Sequence, residues 1–368
     1  MPITIPFRKV SIPATLQSTL NAAIEASAFA ASETLEAEAV AATGMAHALS
    51  TSSSTAALHL AMCALDLKRG DKVLCPINSF VDLPEVVRHF DAEPVFVDTL
   101  PGSYALDPDK LRVAAEKIKG KKLRAILVDH PAGKTAPMKA IREVADAYNL
   151  KIIEDATEAV GSSTIGEYSD MAVIGFGTKI DNTIDGGLLL TNEAHYYERG
   201  KLLRNHGMVY TSEETRYLYD VLDIGCQYRM SEFTALFCQA LFAETDRVVA
   251  RRKAIAEQYF SALKSVENIT LPEQNDDDLY TQFIVKVDTN RDAFARKLRE
   301  KGIEVSVQYI PLNFTKYYKE KYSLKVFDFP VALDGYQKMM SLPIYASMRD
   351  DEVAQVCDAI EAIAKSHR

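Results

Sequence analysis

Short apolar runs alternate with helical stretches between about residues 45 and 192, and this alternation is the main structural signal in the chain. The apolar runs, rich in β-branched residues, are HALSTS, DKVLCPI, PVFVD, RAILVD, KIIEDA, MAVIGF and GLLLTN. Near-continuous apolar strands that alternate with helices predict a mostly parallel sheet covered on both faces. Because ligands of such sheets bind at the carboxyl ends of the strands, we expect the functional site there.

The pattern changes in the second half of the chain. A long amphipathic helix is predicted over 231–265, and the N-terminal stretch 14–42 is rich in Ala and Glu and also predicted to be helical. The remaining predicted elements are the strands YTQFIVKVD and EVSVQYI, the helix RDAFARKLREKG and a last helix from about Asp350. We therefore predict an α/β protein with a three-layer large domain over 1–245 and a small α+β domain over 246–368. The N-terminal helix could pack on the small domain.

The composition is that of an ordinary globular protein, since 48% of the 368 residues are hydrophobic and 25% are charged. A net charge of −9 argues against nucleic acid or an anionic membrane as the main partner, while a local pocket can still bind an anion. No apolar run reaches the roughly 20 residues of a membrane helix, and the N-terminus lacks the features of a signal peptide. We therefore expect a cytoplasmic protein.

Cysteine and histidine usage argues against a metal centre or a disulfide framework. The five cysteines are scattered and odd in number, and most lie in apolar contexts typical of reduced core residues. The seven histidines include no pair at metal-ligand spacing, and no CxxC motif is present. We therefore expect no metal.

The segment STSSSTAALHLAM, residues 50–62, joins a predicted strand to a predicted helix through small hydroxyl residues. Free backbone N–H groups and the helix dipole at such a terminus suit a phosphate, with Ser53, Ser54 and Thr55 as contacts. A plain Ser/Thr helix cap explains the same residues.

Three further residues could belong to one site, although each also has an ordinary structural explanation. Asp155 follows an apolar strand, where a carboxylate can hold a pyridinium nitrogen protonated or simply cap the next helix. Lys179 lies in a Gly-rich loop, where a shielded lysine can form an imine, although a surface lysine is the commoner case. Phe80 follows another strand and can stack on a planar cofactor or belong to the core.

The order and spacing of these residues favour one site over four unrelated features. A phosphate-type helix start precedes an aromatic residue, a strand-end Asp155 and a Gly-flanked Lys179 that follows 24 residues later. This series is what a pyridoxal-phosphate site requires.

With these motifs in place, the sequence resembles the DegT/DnrJ/EryC1/StrS aminotransferases, a fold-type I family that acts on nucleotide-linked keto sugars. The resemblance covers nearly the whole chain, and the aspartate block IIEDATEAVGS together with Lys179 and Gly186-Gly187 makes it specific. Further matching segments are HALSTSSSTAALHLAM, DLPEVVRHFDAEPVFVD, LLRNHGM, GCQYRMSEFTALFCQAL, SVQYIPL and SLPIYASMRDDEV.

The resemblance implies a role for each residue of the site. Lys179 would form the Schiff base with pyridoxal 5'-phosphate and then move the proton between cofactor and substrate. Asp155 would pair with the pyridine nitrogen, and Glu158 would approach the phenolic oxygen of the ring. Ser54 and Thr55, next to Ser53, would hold the phosphate, and Phe80 would stack on the ring.

The resemblance also implies partners. Gln227 occupies the place of an Asn that reaches the phosphate of the partner subunit, which implies a homodimer with shared active sites. We expect the nucleotide sugar and the amino-acid donor to contact Lys134, Arg229, Gln308 and Tyr309.

Three positions and one segment depart from the family pattern. Ile174 stands where a phosphate-binding Ser is usual, Asp185 replaces a Glu, and Gln308 replaces a sugar-site His. The N-terminal segment SAFAASETLEAEAVA lacks the usual glycine. The changes bear on phosphate affinity and substrate identity and leave Lys179 and Asp155 in place.

The sequence therefore predicts an aminotransferase that moves an amino group from an amino acid, expected to be glutamate, to a nucleotide-linked keto sugar. A polysaccharide or glycan pathway is a family-level expectation. Two alternatives stay open: a non-catalytic or regulatory protein of the same fold, and a pyridoxal-phosphate enzyme with another sugar reaction such as dehydration. A plain dinucleotide-binding enzyme is disfavoured, because no GxGxxG follows any predicted strand.

Overall fold

The seven predicted apolar runs all form strands of one sheet in the computed structural model, which describes residues 2–9, 12–26, 30–120, 122–177, 185–211 and 217–365. The strands are β1 (His47–Thr51), β2 (Lys72–Pro76), β3 (Glu93–Val97), β4 (Leu123–Asp129), β5 (Lys151–Asp155), β6 (Met171–Gly175) and β7 (Gly187–Thr191). Their spatial order is β1-β7-β6-β5-β4-β2-β3. Only the pairs that include β7 are antiparallel, so the prediction of a mostly parallel sheet is confirmed.

Helices cover both faces of this sheet. The helices of the chain are α1 (Leu16–Ala26), α2 (Ala31–Thr43), α3 (Ser54–Ala64), α4 (Asp82–Arg88), α5 (Pro108–Ile118), α6 (Met138–Tyr148), α7 (Ala194–Leu203), α8 (Glu232–Ala243), α9 (Thr245–Leu263), α10 (Arg291–Glu300), α11 (Lys316–Lys321), α12 (Pro330–Lys338) and α13 (Asp350–Lys365). Along β4, Leu127 packs into the cluster on one face, whereas Ile126 and Val128 pack into the cluster on the other. Burial on both faces explains why the strands are continuously apolar and confirms the three-layer α/β class.

The remaining strands form two small sheets. Strands β8 (Met208–Tyr210) and β9 (Tyr219–Val221) pair as an antiparallel hairpin. Strands β10 (Ile269–Thr270), β11 (Phe283–Val287) and β12 (Met339–Leu342) form an antiparallel sheet in that order. This second sheet packs with α9, α10 and α13 around its own apolar cluster, centred on Tyr259, Phe283 and Phe294.

Two element predictions need correction. The single helix expected over 231–265 is two helices, because the backbone at Glu244 (φ −90°, ψ 0°) departs from helical values between α8 and α9. The strand expected in EVSVQYI is absent among the described residues of that segment, which forms only the isolated bridge Ser306–Ser341, while Ile303 directly before it pairs with Ile5. Its place beside β11 is taken by β12, whose Met-rich sequence carries little strand propensity.

The N-terminal part of the chain reaches both sheets. Helix α2 packs on β1 and α8, while Ile5 pairs with Ile303 in the second unit. The division between residues 245 and 246 remains a prediction. Within the described ranges, no helix is long and apolar enough to span a bilayer, and no group of three or more potential ligands is placed to hold a metal ion.

Candidate functional site

The turn between β1 and α3 presents the beginning of a helix at the carboxyl edge of the sheet. Ser53 is extended (φ −160°, ψ 163°), and its hydroxyl accepts the N–H of Ala56 at 2.9 Å, which caps the helix. Ser54 and Thr55 follow in the first turn and are half-buried. The first N–H groups of a helix lack intrahelical partners and carry partial positive charge, so this turn can bind an anion.

Two strands approach this turn so closely that only glycine fits. A Cβ at Gly187 would lie 2.5 Å from the carbonyl oxygen of Ser53, and a Cβ at Gly175 would lie 2.9 Å from the Cβ of Ser54. The same Cβ at Gly175 would lie 2.8 Å from Thr157 Cγ2. The glycines therefore bring β6, β7 and the segment after β5 against the start of α3.

Ile174 does not face this turn. Its side chain is buried in the apolar cluster that includes Leu188 and Met230, whereas the next residue, Gly175, is the one that faces Ser54. Because successive side chains of a strand point to opposite faces, the position on β6 nearest the turn carries no side chain. On this strand it is therefore Gly175, and not the side chain of Ile174, that borders the anion-binding turn.

Asp155 ends β5 and lies at the same edge. Its carboxylate is 2% exposed, and Oδ1 accepts the N–H of Thr157 at 3.1 Å. Its backbone pairs with Asp129 on β4 and with Val173 on β6, so it lies in the middle of the sheet. A buried carboxylate at this place suits a cationic or proton-bearing partner such as a pyridinium nitrogen.

Glu158, one turn after Asp155, joins the large sheet to distant parts of the chain. Its Oε2 accepts the N–H of Ala132 at 2.8 Å, while Oε1 accepts the amide of Gln282 at 2.6 Å and the hydroxyl of Tyr309 at 3.0 Å. Arg8 Nη2 lies 4.0 Å from Oε1. Burial and the adjacent Glu158 raise the pKa of Tyr309 well above its ordinary value, so the phenol stays protonated and donates.

Phe80 and Tyr309 form an aromatic pair on one side of the site. Their ring centroids are 5.4 Å apart at an interplanar angle of 55°. Thr55 Oγ1 donates to Asp82 Oδ2 at 3.2 Å, which ties the start of α3 to the segment that carries Phe80.

These contacts form a closed circuit around one region. The circuit runs from Ser54 and Thr55 through Asp82 to Phe80, Tyr309, Glu158, Thr157 and Gly175, and back to Ser54. The structure therefore brings together the predicted residues Ser54, Thr55, Phe80, Glu158 and Tyr309, with Ser53 and Asp155 directly adjacent. Their sequence positions span more than 250 residues, from Ser54 to Tyr309.

Lys179 lies outside the described residues, since the structure leaves out 178–184. The described residues that flank this segment are Gly177 and Asp185. Asp185 Oδ1 accepts the N–H of Gly186 at 2.9 Å. Partial burial raises the pKa of Asp185, and hydrogen bonds from the N–H groups of Gly186 and Ser54 oppose that rise. A carboxylate therefore already occupies one N–H group at the start of α3.

The other predicted substrate and cofactor contacts are more dispersed. Gln308 is buried, and its Oε1 accepts Arg8 Nη2 at 3.3 Å, beside Tyr309. Lys134 Nζ lies 3.0 Å from Asp278 Oδ2 and donates to the carbonyl of Glu273 at 2.9 Å, so its charge is paired within the chain.

Gln227 and Arg229 are both exposed on either side of Tyr228, whose carbonyl accepts the N–H of Ser52 at 2.8 Å. Both lie near the start of α3 and are not among the residues of the circuit. This placement leaves them available to a second molecule.

Sequence reasoning missed Arg8 and Gln282, although both contact the Glu158 network. Neither belongs to a local motif, because Arg8 lies in the N-terminal segment and Gln282 directly precedes β11. Only the bridge of residues 4–5 to Gly302 and Ile303, which no local pattern encodes, brings Arg8 to this place.

The residues present fit the cofactor expected from the sequence. A helix start cradled by glycines suits a phosphate, an aromatic side chain suits a planar ring, and a buried carboxylate suits a protonated ring nitrogen. The buried Thr157 Oγ1 has no hydrogen-bond partner among the described residues and lies beside Gly175, where a bound group could use it.

Comparison with known proteins gives an independent result. Residues 11–361 match the model of the DegT/DnrJ/EryC1/StrS aminotransferase family. The spore coat polysaccharide biosynthesis protein SpsC of Bacillus subtilis is 30% identical over 341 residues, which cover 88% of this chain and 86% of SpsC. The GDP-perosamine synthase of Escherichia coli O157:H7 is 28% identical over 326 residues, which cover 85% of each chain.

Solved structures share the fold. The aminotransferase TlmJ from Streptoalloteichus hindustanus superposes with a TM-score of 0.90 at 24% identity and covers 99% of this chain and 100% of its own. NtdA from Bacillus subtilis, solved with the bound cofactor PMP, has a TM-score of 0.85 at 25% identity and covers 95% of this chain and 81% of its own. The fold-type I architecture is therefore shared over nearly the whole length.

Proposed function

Because this chain belongs to the DegT/DnrJ/EryC1/StrS aminotransferase family and is a pyridoxal-phosphate-dependent enzyme, we propose that it transfers an amino group from glutamate to a keto sugar carried on a nucleotide. The observation that carries this proposal is the closed circuit of contacts from Ser54 to Tyr309, with Asp155 buried beside it, in a chain that matches the family from residue 11 to 361. The named relatives support the choice of a sugar substrate, because one makes GDP-perosamine and another serves polysaccharide biosynthesis.

The residues of the circuit would hold the cofactor as follows. The first turn of α3, with Ser53, Ser54 and Thr55, would bind the phosphate through its backbone N–H groups and hydroxyls. Asp155 would accept a hydrogen bond from the protonated ring nitrogen, and Phe80 would pack on the ring face. When bound, the cofactor supplies an electron sink that makes a neighbouring carbon acidic.

The chain itself would supply the proton transfers. Lys179 is proposed to take a proton from the donor's α-carbon at its Nζ and to return it on the far side of the conjugated system. For this step Nζ must be neutral, a state that shielding of the amine from water would favour. Glu158 is held by Ala132, Gln282 and Tyr309, and these hydrogen bonds would fix its carboxylate beside a bound cofactor ring.

The proposed assembly is a homodimer with shared active sites. Exposed apolar side chains cluster along the β8–β9 hairpin and the residues after it: Tyr217, Leu218, Tyr219, Val221, Leu222 and Ile224. Ile224 is 93% exposed, and the exposed Gln227 and Arg229 follow directly. A contiguous apolar surface of this kind favours burial against a second copy, which would bring Gln227 towards the partner's phosphate-binding turn.

A panel of nucleotide-linked keto sugars, each incubated with ¹⁵N-labelled glutamate, tests the proposal. We expect label in the sugar product for at least one member and 2-oxoglutarate in equal amount. Loss of water from the sugar without incorporation of label would instead assign a dehydration. A protein that takes up the cofactor yet turns over no member of the panel would favour the regulatory alternative and contradict the proposal.

A further inference from the structure

Arg252, in α9, forms no close ion pair with another described residue, although Glu158 is near enough to act on its charge. Its Nε is buried and has no hydrogen-bond partner among the described residues. The residue as a whole keeps partial contact with solvent. Burying a charge is costly unless it is paired, which makes an unpartnered arginine a candidate ligand contact.

The packing of α9 aims Arg252 at the functional site. Thr245 and Val249, on the same helix, lie against Gly161, where an added Cβ would meet Thr245 Cγ2 at 3.0 Å and Val249 Cγ2 at 3.2 Å. Residue 252 is three positions beyond Val249 and therefore continues the same face of the helix. That face covers the segment after β5, which contains Glu158 and Gly161.

The local charge is unbalanced. Arg8 Nη2 lies 4.0 Å from Glu158 Oε1, and Glu158 is also close enough to Arg252 to affect its pKa. Burial and the nearby Arg8 lower the pKa of Arg252 to about 10, and Glu158 only partly opposes this. The guanidinium therefore stays charged at neutral pH while its surroundings favour the addition of an anion.

Other polar atoms around Glu158 are also buried without partners among the residues described. Gln308 Nε2 is such an atom, although Oε1 of the same amide accepts Arg8. Gln282 Oε1 is another, although its Nε2 donates to Glu158. Native proteins pair nearly all buried polar groups, so unpaired groups concentrated in one place indicate a site completed by a ligand.

We propose that Arg252, together with Arg8 and Nε2 of Gln308, binds the α-carboxylate of the amino-acid donor. This inference rests on the proposed function and adds a site for the donor. In an α-amino acid the carboxylate and the reacting amine share one carbon, so the anion must be held beside the reacting centre, where Glu158 and Tyr309 lie. In a nucleotide sugar the diphosphate is on the anomeric carbon and therefore not on the carbon that carries the reacting keto group.

The test compares the KM values for glutamate and for the keto sugar in the Arg252→Met variant. We expect KM for glutamate to rise roughly 10- to 100-fold, because a charge-assisted hydrogen bond is lost. KM for the keto sugar should stay within about twofold of the wild-type value. Arg252→Lys should recover part of the donor affinity, since it restores the charge without the fork geometry. Removal of an unpaired buried charge should leave the thermal midpoint of the ligand-free protein unchanged or raise it.

Arg247→Met is the matched control, because Arg247 lies on the same helix and its side chain is 60% exposed in an ion pair with Glu244. Arg247→Met should change neither the KM for glutamate nor the KM for the keto sugar. A binding readout independent of turnover is calorimetry with 2-hydroxyglutarate, which carries the donor's carboxylates and no amine. Wild-type protein should bind it, and Arg252→Met should bind it roughly tenfold or more weakly.

Two outcomes would overturn this inference and leave the proposed function intact. A rise in KM for the nucleotide sugar alone would assign the arginines to the diphosphate, and unchanged KM values for both substrates in Arg252→Met would make Arg252 structural. A wild-type protein that transfers no amine from glutamate would instead count against the proposed function itself.

Discussion

At the scale of single residues, three carboxylates lie close to the start of α3. Asp155 ends β5, Glu158 follows three residues later, and Asp185 places a third carboxylate on the N–H of Ser54. A phosphate bound at the same helix start would lie close to that carboxylate. Since like charges repel at such distances, Asp185 should weaken phosphate binding.

Asp185→Asn is therefore expected to raise the affinity for pyridoxal phosphate at pH 8, by roughly threefold to tenfold, because it removes a charge near the phosphate. The pKa of Asp185 is raised, so in the wild type this carboxyl is already protonated at a higher pH than an ordinary aspartate. The affinities of the wild type and of Asp185→Asn for pyridoxal phosphate should therefore converge as the pH falls. The two affinities are measured by titrating the cofactor-free proteins with pyridoxal phosphate and following the absorbance of the cofactor.

Unchanged or weaker binding by Asp185→Asn at pH 8 would mean that the carboxylate only caps α3. Asp220→Asn is a suitable control, because Asp220 is an exposed acid on the β8–β9 hairpin.

At the scale of elements, a buried hydrogen-bond network fixes the ends of β4 and β5, where the site is built. His130 Nδ1 accepts the N–H of Ala136 at 3.0 Å, so Nε2 carries the proton and donates to Glu154 at 2.9 Å. The second oxygen of Glu154 accepts the N–H of Gly166 and the hydroxyl of Ser169. Both oxygens of this buried carboxylate therefore face donors, which suits an ionised acid.

Glu154→Gln should lower the free energy of unfolding by about 2–4 kcal/mol, because the amide presents N–H groups to at least one donor that then loses its acceptor. Glu167→Gln, at an exposed position on the following turn, should leave it nearly unchanged. Urea unfolding followed by circular dichroism would show the difference. Equal stabilities for the two variants would contradict the view that this network supports the edge of the sheet.

The sequence predicted the large sheet well and the second unit less well, for a physical reason. Strands of the large sheet are buried on both faces, so each reads as an uninterrupted apolar run bounded by turn residues. Strand β12 is four residues long and rich in Met. Its pairing with β11 is determined by tertiary packing, which no local sequence pattern predicts.

The residues of the site were likewise predictable only where a local sequence pattern marks them. Residues within local motifs, such as Ser54, Asp155 and Phe80, could be identified from strand ends and helix starts. Arg8, Gln282 and Arg252 could not, because their approach to Glu158 depends on how the N-terminal segment, β11 and α9 pack.

At the scale of the whole molecule, the apolar surface along 217–224 is the feature that a single chain leaves unexplained. Its side chains are among the most exposed large hydrophobic residues of the described structure, and they lie beside Gln227 and Arg229. Burial of this surface against a second copy would remove it from water and bring exposed polar side chains to the other site.

Ile224→Asp should convert the dimer to a monomer, because a carboxylate in the middle of an apolar interface is left without a partner. Val113→Asp, a similarly exposed apolar position on α5 (70% exposed), should leave the dimer intact. Light scattering after size-exclusion chromatography gives the mass of each. A wild-type monomer at micromolar concentration would contradict the shared-site assembly.

The proposed function depends above all on Lys179 as the lysine that binds pyridoxal phosphate. The cofactor-loaded protein should be reduced with borohydride, digested, and mapped by mass spectrometry for the lysine that carries the pyridoxyl group. We expect the label on Lys179, and none on protein in which Lys179→Ala has been introduced. Labelling of another lysine, such as Lys134, or the absence of label from protein saturated with cofactor, would contradict it.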